Sequence, residues 1–180
     1  MTATDTGYDI AFGPVEEAVA MVGATTPVRF GTIDVNEAMI RHFAAMTRDA
    51  NASYWDDEFA DHQWGGLVSP PAMLMIWLMP IEWQPGGGTP LPLFMARIPL
   101  PGDTFVNAST DTEFFAPIRV GDHLNVVEEL VSVSDEKRTA LGVGHFVTTR
   151  GTYRRQDGTV VAVNTNVLFR FTSEPAGEAR

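Results

Sequence analysis

Residues 71–79 read Pro-Ala-Met-Leu-Met-Ile-Trp-Leu-Met, a run without a charged, amide or hydroxyl side chain. A helix of this composition has no face suited to water, so it belongs in the middle of a fold with other elements packed around it. Its leading proline suits a first helical turn, where no backbone N–H is needed. The run is less than half the ~20 residues that cross a bilayer, so whatever buries it must come from the rest of the chain. Strands are predicted to do this. Runs rich in β-branched and aromatic residues cover Thr104–Phe115, His123–Ser134, Ala140–Arg155 and Thr159–Thr172, and Gln156-Asp157-Gly158 marks a hairpin turn between the last two. The last run ends in alternation, apolar at Val167, Phe169 and Phe171, which predicts one buried and one wetter face.

The first half is helical in pattern. Asn36 is a capping residue for a helix at about 36–48, whose Met39, Ile40, Phe43, Ala44 and Met46 fall mostly on one side. Asp49 stands at its exit on a turn, and Trp55–His62 reads as a short second helix. Residues 80–101 hold six prolines and Gly86-Gly-Gly88, a loop that is either a lid over a pocket or a plain connection. A buried helix followed by long antiparallel strands predicts an α+β fold, a curved sheet wrapped around the central apolar helix, the hot-dog arrangement. The 180 residues and 44% hydrophobic content fit one such domain over 1–180, with extended or disordered ends at about 1–10 and 173–180. An isolated sheet of this kind leaves an edge strand uncovered, and pairing with a second hot-dog is the natural remedy.

Charge and composition remove several function classes. The formal net charge is −11 and the 12 Lys and Arg residues are scattered, so no basic stripe is available and nucleic acid is not an expected partner. With no cysteine and four separated histidines, neither thiolate chemistry nor a metal site is expected. The N-terminal MTATDTGYDIAFG has neither the basic start nor the apolar core of a signal peptide. No membrane association is expected, and a cytoplasmic location is.

The chemistry concentrates in a few motifs. Ile40-Arg-His-Phe-Ala leads into Asp49-Ala-Asn51-Ala-Ser-Tyr54-Trp-Asp56. Trp64-Gly-Gly66-Leu-Val68-Ser-Pro70-Pro71-Ala72-Met73, Phe115-Ala-Pro-Ile-Arg-Val-Gly-Asp122 and Lys137-Arg-Thr-Ala-Leu-Gly142 follow. Together they resemble the MaoC-like or FAS1-like dehydratases, relatives of the R-specific enoyl-CoA hydratases, over nearly the whole chain. In active members the loop resembles Asp-x-Asn-Pro-x-His-x-Asp, and the resemblance implies a water held between the aspartate and the histidine and added across an enoyl thioester. Asp49 matches the aspartate, Asn51 the asparagine and Asp56 the last acid, but Ala52 replaces the proline and Tyr54 takes the histidine position. A tyrosine with a pKa of ~10 does not exchange protons near neutral pH as a histidine near ~6.5 does, so the dyad is broken.

A second departure agrees. The resemblance implies a backbone N–H at the start of the central helix that receives the thioester oxygen as it gains charge. Pro70 and Pro71 align there, and proline has no N–H; the Ala72 amide is the available substitute. Asp49 and Asn51 have a structural alternative as loop-stabilising residues, and Tyr54 as a packed aromatic. His42, His62, His123 and His145 read as structural. The resemblance is in particular to the non-catalytic MaoC-like subunits of heteromeric hydratases acting on steroid side-chain enoyl-CoA, on Asp49-x-Asn51-x-x-Tyr54, Gly65-Gly66-x-Val68-x-Pro70-Pro71-Ala72-Met73 and Lys137 through Phe146. Larger relatives of that kind carry a further zinc-bearing domain; this cysteine-free chain is expected to be a stand-alone version.

The leading expectation is a hydratase subunit whose Asp/His pair is supplied by a second MaoC-like hot-dog carrying Asp-x-Asn-Pro-x-His. The acyl-CoA thioester is its substrate and no cofactor is expected. Gly66, Val68, Pro70, Pro71, Ala72, Met73 and Trp77 are the candidate substrate-binding residues, with Asp49, Asn51 and Tyr54 as a degenerate catalytic site. Arg97, Arg119, Lys137 and Arg138 are candidate CoA-phosphate contacts. Two alternatives stay open: a self-sufficient homodimeric hydratase or dehydratase using Asp49, and a non-enzymatic acyl-thioester or steroid binding protein.

Overall fold

A computed structural model describes residues 10–88 and 93–173. The expectation of loose ends at about 1–10 and 173–180 therefore lies outside the described residues, apart from Ile10 and Ser173. Asn36 opens helix α2, Glu37–Thr47, by accepting a hydrogen bond from the Met39 N–H at 3.0 Å. Helix α3, Asp57–Trp64, is capped in the same way by Asp56, which accepts from the Phe59 N–H at 3.0 Å. Helix α1, Val15–Ala20, escaped the sequence reading because six residues with one buried side chain, Ala18, give no periodic signal.

The strands are β1 Arg29–Phe30, β2 Thr104–Phe114, β3 Asn125–Val133, β4 Lys137–Thr139, β5 Gly142–Arg154 and β6 Val160–Ser173. They form one antiparallel sheet in the order β1-β3-β5-β6-β2, with β4 beside the start of β5. The hairpin between β5 and β6 closes through Arg155 N–H to Thr159 O at 3.0 Å, with Gly158 at a φ of +86°. Strand β2 bonds only to β6, and most of its eleven residues are exposed, so its outer edge is open among the described residues.

One face of the sheet carries Val126, Tyr153 and Ala162 against Ile40 and Ala44 of α2 and against Met73, Leu74, Trp77 and Leu78 of the apolar run. The run does lie against the sheet, but it is not an α-helix. It forms two 3₁₀ turns, Pro71–Met73 and Ile76–Leu78, held by i to i+3 bonds such as Leu74 N–H to Pro71 O at 3.1 Å and Leu78 N–H to Met75 O at 3.1 Å. Its two ends explain the difference. Pro70 and Pro71 bring no N–H, and Pro80 holds Met79 in an extended conformation, ψ 128°, leaving too few residues to nucleate a helix. The turns also leave Met75 and Met79 49% and 41% exposed, so the run is not buried on all sides.

One choice left open is decided against the lid, and one expectation is corrected. The described part of the proline-rich segment does not lie over the cavity described below: Phe94, Ile98 and Leu100 pack with Ala18, Leu130 and Val147 into a second apolar cluster. And β6 has no wet face over residues 168–171. Cross-strand register puts Leu168 and Arg170 opposite Val147 and His145, and Phe169 opposite Phe146 on the other face, yet Leu168, Phe169, Arg170 and Phe171 are all buried. Phe146, Phe169 and Phe171 cover one another, with ring centroids 4.7 and 5.1 Å apart. The buried Arg170 donates to Gly102 O at 2.7 Å and to Ala11 O at 2.9 Å, tying two distant segments to the sheet.

Candidate functional site

The loop after α2 begins with a helix stop. Arg48 adopts the left-handed conformation, φ 54°, and Asp49 N–H reaches back to Ala44 O at 2.8 Å, a closure usually built on glycine. The loop then fastens itself. The Asp49 carboxylate accepts from Asn51 N–H at 3.0 Å, the Asn51 side-chain oxygen accepts from Ser53 N–H at 3.0 Å, and the Trp55 indole donates to Asp49 O at 2.7 Å. These are successive Asx turns, in which a short side chain does the work of a backbone carbonyl. Asp49 is exposed and spends its carboxylate on loop shape.

The two motifs downstream occur together because they are bonded to each other. Ser69 N–H donates to Ile118 O at 2.7 Å and Val120 N–H to Leu67 O at 3.0 Å, with Val68 and Arg119 facing one another. Gly65, φ +75°, ends α3 and lets the chain turn into this pairing. The buried Asp122 accepts from Arg119 N–H at 2.8 Å and holds the return turn. The Lys137–Gly142 motif is likewise a turn, between β4 and β5, where Leu141 N–H donates to the Thr139 hydroxyl at 3.1 Å.

Between the loop and the paired motifs lies a cavity of about 420 Å³. Asn51, Ser53 and Tyr54 form its polar side. Trp64, Val68, Ser69 and Pro71 form a second wall, and Phe114 through Ile118 a third, where β2 ends. The indole of Trp64 donates to the Ser53 hydroxyl at 3.0 Å, and the fully buried Trp77 donates to the Ser69 hydroxyl at 2.8 Å. Each tryptophan thus pins a serine of the wall.

Of the described residues lining this cavity Tyr54 is the sole titratable one. Burial, and then the nearby negative charge of Asp49, raise its phenol above the ordinary 10.0, while the Asn51 side chain partly offsets this. The phenol is therefore a fixed O–H at neutral pH. None of His42, His62, His123 and His145 lines the cavity; His123 pairs with Asp34 at 2.7 Å and His145 with Ser134 O at 2.9 Å.

Of the candidate residues, Asn51, Tyr54, Val68 and Pro71 meet in the cavity wall. Asp49 stands outside it. Met73 and Trp77 are 1% and 0% exposed and belong to the core instead, because the 3₁₀ turns aim them at the sheet. Pro70 is buried with its carbonyl bonded to Met73 N–H, Ala72 is exposed away from the wall, and Gly66 borders a separate concavity with Glu37, Asp57 and Asp61. Trp64 was weighed as a core residue or a tunnel-lining one, and it lines the cavity; Ser53, Ser69, Phe114 and Phe115 were missed. The signal for the serines was their pairing with Trp64 and Trp77, which has no fixed sequence spacing. Among the described residues no group of three or more His, Asp or Glu side chains is arranged to hold a metal ion, and no helix is long and apolar enough to cross a membrane.

This antiparallel sheet, and the pairing of its two glycine and proline motifs beside the Asp-x-Asn loop, define a hot-dog dehydratase domain. The chain belongs to the family described as the FAS1-like dehydratase domain region, which matches residues 20–164. Over 162 residues it is 38% identical to a probable enoyl-CoA hydratase alpha subunit of Thermomonospora curvata, a match to 84% of this chain and 50% of that protein. It is 29% identical over 170 residues to the 3-oxo-4,17-pregnadiene-20-carboxyl-CoA hydratase alpha subunit of Mycobacterium tuberculosis, covering 91% and 53%. The chain spans about half the length of these curated relatives. Its fold matches a chain of the ChsH1-ChsH2 complex from Mycobacterium tuberculosis with a TM-score of 0.72, 23% identity and coverage of 91% and 94%. A MaoC-like dehydratase from Rhodospirillum rubrum matches with a TM-score of 0.58, 25% identity and coverage of 86% and 94%.

Proposed function

We propose that this chain is the catalytically incomplete subunit of a heteromeric enoyl-CoA hydratase, shaping the space for a bulky acyl group of steroid side-chain type. A second hot-dog carrying Asp-x-Asn-Pro-x-His supplies the acid/base pair. One observation carries the reading: among the described residues, the cavity beside the Asp49–Asp56 loop has Tyr54 as its only titratable lining group, and that phenol is held protonated. Hydration needs one group to take a proton from water and another to deliver one, both working near neutral pH. A cavity walled by two serines, an asparagine and a protonated tyrosine orients a ligand but moves no proton for it. Asp49 has its carboxylate turned to the loop, which weighs against its acting alone.

The position of the cavity supports a role beside a partner. Phe114 and Phe115, 40% and 56% exposed, sit where the open edge strand β2 meets the cavity wall. A second sheet continuing across that edge would cover both and close one side of the space. The alpha-subunit names of the two curated relatives point to the same kind of assembly. The test is to co-express the chain with a hot-dog protein carrying the intact motif and to assay enoyl-CoA hydration by each alone and by the pair. Activity confined to the pair, and lost on replacing the partner's histidine, is expected; a typical enzymatic rate from this chain alone ends the reading.

A further inference from the structure

Between α1, the turn from β3 to β4 and Pro101 lies a second concavity of about 750 Å³, which shares no lining residue with the cavity beside the Asp49–Asp56 loop. Much of its lining is apolar, with Pro14, Val15, Val19 and Ala20 on the α1 side and Val133 on the sheet. The side chains that carry a full charge are all of one sign. Glu16, Asp135 and Glu136 line it, no Lys or Arg does, and none of the three carboxylates is in an ion pair among the described residues. By themselves three exposed carboxylates are only a solvated rim. His145 adds an independent feature. It lines the same concavity and is 6% exposed. Its Nδ1 stands 2.9 Å from Ser134 O, and a carbonyl only accepts, so Nδ1 carries a hydrogen and Nε2 of the neutral ring is an acceptor. Nε2 has no hydrogen-bond partner among the described residues, yet it is not one of the enclosed unpartnered side-chain atoms, which are the Nε atoms of Arg41 and Arg155. It therefore borders open space, and the open space that His145 lines is this concavity. Arg170, opposite His145 across the strands, donates to Gly102 O and Ala11 O and does not line it.

An occupant of this space meets three conditions together: apolar surface for the lining, a hydrogen for the recessed acceptor, and positive charge for the rim. A carboxylate or phosphate fails the last condition and a hydrocarbon the second. We propose that the concavity binds a primary amine in its protonated form, carried on an apolar body, with the ammonium donating to His145 Nε2 below the carboxylates. An ammonium has three hydrogens and no lone pair, so one hydrogen serves Nε2 and two remain for Glu16, Asp135 or Glu136. The volume lies in the range of small-ligand sites. This site stands apart from the hydratase reading, since the two spaces have no residue in common.

The test titrates the full chain, labelled with nitrogen-15, with 4-phenylbutylamine, 4-phenylbutanol and 4-phenylbutyrate, reading the backbone amide resonances. The amine is expected to move the signals of residues 15–20 and 133–136 and to bind about tenfold more tightly than the alcohol, because a charge-assisted hydrogen bond is about twice as strong as a neutral one. The carboxylate should not bind there. Neutralising the rim with Glu16→Gln, Asp135→Asn and Glu136→Gln together, all at exposed positions, should weaken the amine about tenfold and leave the alcohol unchanged. His145→Asn keeps a donor for Ser134 O but removes the Nε2 acceptor, and should weaken the amine about fivefold. Melting curves report whether this buried replacement disturbs the fold; the rim variant decides alone if it does. The proposal is overturned if the amine does not bind, if it binds no more tightly than the alcohol, or if the rim variant keeps its full affinity for the amine.

Discussion

One hydrogen bond between the wall of the cavity and the core makes a quantitative prediction. Trp77 is fully buried and its indole N–H donates to the Ser69 hydroxyl at 2.8 Å; Ser69 is itself 6% exposed. Ser69→Ala removes the acceptor but leaves the indole N–H inside the protein, at a cost of about 1–3 kcal/mol for a buried donor without a partner. In a chain of this size that corresponds to a fall in melting temperature of roughly 2–4 °C per kcal/mol. Trp77→Phe removes the donor and costs about 2 kcal/mol from lost packing. Made in the Trp77→Phe background, Ser69→Ala strands nothing, so its cost should drop below ~1 kcal/mol and the pair should show a coupling of about 1–2 kcal/mol. Urea unfolding of the four proteins, followed by far-ultraviolet circular dichroism, measures this. Equal costs of Ser69→Ala in both backgrounds would refute the reasoning.

Three more outcomes are expected. Arg48→Gly should raise stability by about 1 kcal/mol, since a side chain in the left-handed region carries a steric penalty that glycine lacks; an unchanged unfolding midpoint contradicts this. Glu128 faces inward from β3, and burial raises its carboxyl above the ordinary 4.5 more than Arg29 lowers it. Its contribution is therefore present below pH 4.5 and lost as pH rises through the raised value, so Glu128→Gln should stabilise the chain at pH 7 and make no difference at acid pH. A gain of equal size at both pH values would show that charge is not the cause. Asp49→Asn keeps an oxygen to accept the Asn51 N–H, so the two-subunit assembly should hydrate at an unchanged rate; a large loss would return Asp49 to the chemistry.

The long elements were legible because their signals are local. The Asn36 cap, the period of α2, the Gln156-Asp157-Gly158 turn and the β-branched runs each specify structure within a dozen residues. The family's two motifs were legible as motifs, but their pairing through Ser69 and Ile118 spans 49 positions and leaves no pattern to read. The apolar run misled for a different reason. Composition said that it was buried, which holds for Met73, Leu74, Trp77 and Leu78, but its conformation was decided by the prolines at both ends. At the site, a tyrosine at position 54, where the resemblance implies a histidine, was visible in the letters alone. That Asp49 turns into the loop while Ser53 and Ser69 face the cavity was not, because side-chain direction follows from the two Asx turns and from the indoles of Trp64 and Trp77.

The measurement that tests the central claim most directly is hydration of a bulky enoyl-CoA, followed by loss of the absorbance of the conjugated thioester. It is made with this chain alone, with a partner carrying Asp-x-Asn-Pro-x-His alone, and with the two together. The account predicts turnover by the pair only, abolished by replacing the partner's histidine and retained with Asp49→Asn in this chain. Turnover by this chain alone, lost in Asp49→Asn, would contradict it and make the loop around Tyr54 a working catalytic site.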